Sequence, residues 1–186
     1  MGLNFSAPFH DSMEKNKTTL VIGLGNPILG DDGVGWRIVE QVEEADVSGD
    51  KLTELKVEFD YLSLGGLSLM ERMNGYKNVV LIDSITTGSK PNGTIYSLPL
   101  SSLPDFSSGH TTAIHDTSLA TALEVGKRMG MVLPEEVWVV AVEAEQVFDF
   151  SEEMSPSVEA SVPYAVEIVM DILIHNIREE KIYDLT

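Results

Sequence analysis

A chain of 186 residues is long enough for one domain with a full hydrophobic core and short for two. Its 12 basic residues stand against 30 acidic ones, and the resulting charge of −18 repels phosphate backbones, which sets nucleic acid aside as a partner. Cysteine is absent, so disulfides, thiolate metal sites and cysteine nucleophiles are excluded, and no apolar run approaches the ~18 residues that span a bilayer.

Residues 1–17 lack the apolar stretch of a secretory signal and read as a disordered leader, although MGLNFS also fits a myristoylation pattern at Gly2 and Ser6. A single domain is expected over 18–186. TTLVIGLG, residues 18–25, is apolar and β-branched, the mark of a buried strand. DDGVGWRIVEQVEE follows as a helix, with Val34, Ile38, Val39 and Val42 along one side. ELKVEFDYL, residues 54–62, alternates like a strand with one wet face. In LGGLSLMERMNGY, residues 64–76, Leu67, Met70 and Met73 recur every third position, giving a short helix that Asn74 and Gly75 stop. NVVLIDSI, residues 78–85, is the second unbroken apolar strand. TTGSKPNG is a turn, and GTIYSLPL is a strand whose Pro99 places it at an edge or an end. The longest polar loop covers residues 101–116, and a helix at 117–130 ends on Gly130. EEVWVVAVEA is the third core strand, AEQVFDFSEEMSPS is irregular, and residues 157–180 form a closing helix in which Pro163 belongs near the first turns or at a kink. This alternation of strands and helices gives an α/β fold with a mostly parallel sheet covered on both faces.

The turn GLGNPILGDDGVG, after the first strand, has the layout of a phosphate loop and the wrong chemistry. The dinucleotide fingerprint needs a third glycine where Ile28 stands. The phosphate-loop spacing runs from Gly25 to Gly30, but Asp31 and Asp32 replace the lysine and hydroxyl that would follow. One aspartate is accounted for as a helix cap, worth ~1 kcal/mol. Successive helical residues project about 100° apart, so the two have different tasks. Asp31 is read as the cap, and Asp32 as reaching into a site above the sheet. Ligands of parallel sheets bind beyond the carboxyl ends of the strands. That rule also selects Asp83, a carboxylate closing the run VVLID, where it needs a cation or hydrogen bonds. Of the four histidines, His10 lies in the leader, His175 on the last helix, and His110 and His115 in or at the end of the polar loop. His115, just before DTSLATAL, completes a hard-oxygen and imidazole set that suits nickel, zinc or a similar divalent ion.

GLGNPILGDDGVG, NVVLIDSI, PNGTI, IHDTSL and SPSVEASVPYAVEIV, in this order, resemble the hydrogenase maturation endopeptidases over roughly residues 19–174. The resemblance implies a three-layer α/β/α sandwich around a twisted five-stranded sheet. It also implies a cytoplasmic protease that removes the C-terminal extension of a nickel–iron hydrogenase large-subunit precursor after nickel insertion. The family's metal-contacting positions fall on Asp32, Asp83 and His115; the first is glutamate in some members, so this chain reaches one methylene less far. Nickel is then the precursor's own ion, and another divalent ion such as zinc or cadmium fits the same donors. Two roles stay open: nickel positions the scissile peptide and polarises it, or Asp32 or Asp83 is the general base of an aspartyl-type hydrolysis and nickel serves recognition. The partner implied is the precursor's C-terminal region, with no nucleic acid or membrane, and a monomer is the default. Two rivals remain at this level. One is a nickel-dependent escort that binds the precursor without cutting it. The other is a peptidyl-tRNA hydrolase, suggested by VIGLGNP and opposed by ILGDDGVG and by the charge of −18.

Overall fold

The computed structural model describes residues 19–46, 51–103, 113–145, 150–175 and 181–185. In chain order the elements are β1 (Thr19–Leu24), α1 (Val34–Asp46), a one-turn α2 (Lys51–Glu54), β2 (Val57–Leu62), α3 (Gly66–Met73), β3 (Asn78–Ile85), β4 (Ile95–Pro99), α4 (Ala113–Arg128), β5 (Glu136–Glu143), α5 (Pro156–His175) and β6 (Lys181–Tyr183). The three apolar runs of the sequence, β1, β3 and β5, form the middle of one six-stranded sheet of order β2-β1-β3-β5-β4-β6. β2, β1, β3 and β5 are parallel, β4 is antiparallel to β5, and β6 is antiparallel to β4. Among the described residues the sheet therefore has six strands and not the five expected. The additional strand, β6, is three residues long and pairs only with β4.

Strand alternation divides the core into two layers. Val21, Val80, Ile82, Val140 and Val142 face α1 and α5, packing on Val34, Ile38, Val162 and Val169. Leu20, Ile22, Leu81 and Val139 face α3 and α4, packing on Leu69, Met73 and Leu119. The result is the three-layer α/β/α architecture expected. Two local readings are corrected. The buried stripe of α3 is Gly66, Leu69, Met70 and Met73, whereas Leu67 is 58% exposed. A spacing of three drifts around a helix of 3.6 residues per turn, and the true stripe uses the i, i+3, i+4, i+7 pattern. α4 begins at Ala113, four residues before the expected start, so the last part of the polar loop is helical. The expected leader at 1–17 lies outside the described residues, as do 104–112 of the polar loop.

Candidate active site

The turn between β1 and α1 is built on glycine geometry. Gly25 has φ +114°, and a Cβ there would lie 1.8 Å from the carbonyl oxygen of Asp32. No other residue fits that position. The chain then folds back on itself: the Leu29 amide donates to the Asn26 carbonyl at 3.0 Å and the Asp32 amide to the Leu29 carbonyl at 3.3 Å. A short 3-10 turn at Gly30–Gly33 leads into α1.

This closure fixes the Asp32 side chain. Its Oδ2 accepts the Asn26 amide at 2.7 Å, and its Oδ1 lies 3.5 Å from the Ser84 hydroxyl, which donates toward it. Asp32 is thereby held over the carboxyl end of β3, against the residue that follows Asp83. Asp83 Oδ1 accepts the Ser84 amide at 2.8 Å. Because Val79, Leu81 and Ile85 face α3 and α4, alternation puts Asp83 on that side of the sheet edge, while Asp32 approaches from the α1 side. Both acids are half-buried at the end of β3. The backbone of His115 lies in the first turn of α4, on the same side as Asp83. Its side chain, and the whole of His110 and His10, fall outside the described residues. Among the described residues, no group of three His, Asp or Glu side chains is gathered in a metal-holding arrangement. His175 is on the surface, with Nδ1 3.4 Å from Asp171 Oδ1.

Asp31 does not cap α1. Its Oδ1 accepts the Ser155 amide at 2.6 Å and its Oδ2 the Ser155 hydroxyl at 2.8 Å. Ser155 immediately precedes Pro156, the first residue of α5. The buried Asp31 thus ties the glycine turn to the start of the last helix. The strap before that helix is bound to the turn as well, through the Gly30 amide to the Ser151 carbonyl at 2.6 Å and the Ser151 amide to the Ile28 carbonyl at 3.0 Å. The paired acids make different contacts, and those of Asp31 depend on a residue far along the chain.

Glu143, at the end of β5, was not singled out by sequence and is 1% exposed. Its Oε1 accepts the amides of Thr87 at 2.7 Å and Gly88 at 2.8 Å, and its Oε2 accepts the hydroxyls of Thr87 at 2.6 Å and Tyr96 at 2.7 Å. It stands opposite Ile85 in the ladder, so it pins the turn that leaves β3 just after Asp83. Burial pushes the Tyr96 phenol above its ordinary value; the contact with the Thr87 hydroxyl opposes this, and the hydrogen bond that Tyr96 donates to Glu143 adds to it. The available signal was the one that identified Asp83, an acid closing an apolar strand.

Two carboxylates, Asp32 on a turn without phosphate-binding chemistry and Asp83 in β3, thus meet at the carboxyl edge of the parallel strands of an α/β protein, the place where such sheets bind ligands. A family model described as hydrogenase maturation protease (HycI) matches residues 62–172, more than half of the chain. The hydrogenase 2 maturation protease of Escherichia coli K12 is 27% identical over 169 residues, covering 89% of this chain and 98% of that protein. The hydrogenase expression/formation protein HupD of Rhizobium leguminosarum bv. viciae is 26% identical, covering 83% of this chain and 73% of that protein. Among solved structures, the hydrogenase-maturating endopeptidase HybD from E. coli superposes with a TM-score of 0.69 at 25% identity, over 89% of this chain and 96% of that one. The chain belongs to the hydrogenase maturation protease family, and it is accordingly a hydrolase acting on peptide bonds. Neither the escort nor the peptidyl-tRNA hydrolase reading finds support among these relatives.

Proposed function

We propose that the protein removes the C-terminal extension of a nickel–iron hydrogenase large-subunit precursor once nickel has been inserted, and that Asp32, Asp83 and His115 are its working residues. The observation that carries this reading is the placement of Asp32 over the end of β3, next to Asp83. Asp32 Oδ2 is engaged by the Asn26 amide, whereas among the described residues Oδ1 has only the long contact to Ser84. Oδ1 is thus the oxygen presented to an incoming cation, which in this reading is the nickel of the precursor itself. The hard carboxylate donors suit nickel, and equally a divalent substitute such as zinc or cadmium. In hydrolysis, water adds to the scissile carbonyl carbon, the C–N bond breaks, and the released amine takes a proton. Asp32 or Asp83 is suited to accept the proton from water, giving the reaction its aspartyl character. We place this reaction in the cytoplasm and assign the enzyme as a monomer acting on the precursor's C-terminal region; no helix among the described residues is long and apolar enough to cross a membrane.

The test is the mass of a nickel-loaded precursor before and after incubation with the protein. Loss of a C-terminal peptide is expected, and no loss from nickel-free precursor. Asp32→Asn, Asp83→Asn and His115→Ala are each expected to lower cleavage by at least about 100-fold, the scale of an essential acid–base group, with unchanged circular dichroism. Normal cleavage by any one of them removes that residue from the assignment, and efficient cutting of nickel-free precursor removes nickel from it.

A further inference from the structure

The strap that Asp31 anchors forms one wall of an open cleft of about 730 Å³ between α1 and α5. Its apolar lining is the half-buried Met154 and the exposed Pro163, with Met154 packed on the core layer to which the buried Val162 belongs. Its rim is acidic, with Glu152, Glu153 and Glu159 all exposed. Among the described residues, none of these three has a cationic partner. The one cation lining the cleft, Arg37, is paired with Glu40 at 3.1 Å. A narrower groove shares Arg37, Glu152 and Met154 with the cleft and continues to Pro27, Gly30 and Gly33. The cleft therefore opens onto the same turn that holds Asp32, and its wall is tied to that turn by backbone hydrogen bonds on both sides of Ser151.

We propose that this cleft docks an extended segment of the hydrogenase precursor that carries lysine or arginine between apolar residues, at a distance from the bond that is cut. An extended chain presents alternate side chains to opposite sides. Apolar groups rest on Met154 and Pro163 while ammonium or guanidinium groups reach the glutamates of the rim. The complementary charge excludes acidic and phosphate-bearing ligands and speeds encounter with a basic one. This inference rests on the proposed function for the identity of the occupant, and it adds a recognition surface separate from Asp32, Asp83 and His115.

The test uses the full chain and nickel-loaded precursor. The variant Glu152→Gln/Glu153→Gln/Glu159→Gln changes exposed side chains only, so the fold is retained. Its KM is expected to rise about tenfold, with the loss falling on KM and not on kcat, and its kcat/KM is expected to depend less steeply on salt than that of the wild type. Wild-type KM and salt dependence in the variant overturn the inference while leaving the proposed function intact. Should wild-type protein fail to cut the precursor, the proposed function falls on its own. Direct calorimetric binding of the precursor then decides the docking question: weaker binding by the variant upholds it, and equal binding overturns it. A wild-type dimer in sedimentation that the variant dissolves would also overturn it, because the cleft would then receive a second copy of the chain.

Discussion

At Glu143, a carboxylate with 1% exposure is made tolerable by four donors, two amides and two hydroxyls. Burying such a charge without partners is prohibitive, and here every partner comes from the segment just beyond β3 or from β4. Glu143→Ala removes the acceptor of the buried Tyr96 hydroxyl and of the partly exposed Thr87 and Gly88 amides, and the expected cost is about 2 kcal/mol in urea unfolding. Glu143→Gln keeps an acceptor for the amides and offers its NH₂ to hydroxyls that can turn to accept, so about half of that loss is expected. Equal destabilisation by both variants would show that the charge, and not the acceptor geometry, holds the turn. Asp83 stood out because it interrupts an apolar run at its end, and Asp32 because a phosphate loop has no use for it. Glu143 closes a strand in the same manner, yet it is followed by Ala144 and Glu145 in an acid-rich stretch and carries no contrast. The partner of Asp31 is 124 positions away, so no local pattern distinguishes its tie to Ser155 from a helix cap.

Among the elements, α1 lies unusually close to the sheet. A Cβ on Gly35 would come within 2.4 Å of the Ile82 carbonyl and 2.5 Å of that of Leu24, and one on Gly23 within 2.7 Å of the Gly35 carbonyl. The contact is backbone on backbone, so no side chain can yield. Gly35→Ala is expected to push α1 off β1 and β3, costing about 3 kcal/mol, at the upper end of overpacking penalties. Since Asp32 sits on the turn feeding α1, cleavage of precursor should fall further than stability does, and a variant that unfolds earlier in urea but cleaves normally would refute the link. The elements legible in sequence were those with a strong local pattern: the apolar runs of β1, β3 and β5 and the amphipathic side of α1. β6 left no such pattern, because three residues acquire strand geometry only through pairing with β4. The start of α4 is hidden by the polar composition that precedes it, and in α3 a spacing of three puts Met70 and Met73 on the buried side but Leu67 in place of Gly66 and Leu69, because eight residues give too few turns to fix a period.

For the molecule as a whole, the charge of −18 sets two effects of opposite sign. Like charges spread over one small surface repel one another and destabilise the compact state, while the same field draws in a cationic segment of a partner. Added salt weakens both, since the screening length falls from about 10 Å at 0.1 M to about 3 Å at 1 M. The thermal midpoint of the protein is therefore expected to rise with sodium chloride, while kcat/KM toward the precursor is expected to fall over the same range. Local pairs such as Arg37 with Glu40, both about half exposed, lose little by this screening because exposed pairs contribute little to begin with. The two measurements separate the origins of the effect. A midpoint that rises in wild type and in the Glu152/Glu153/Glu159 variant alike assigns the stabilisation to the general field. A salt response of kcat/KM that persists unchanged in the variant would assign substrate attraction to that field too, and not to the cleft between α1 and α5.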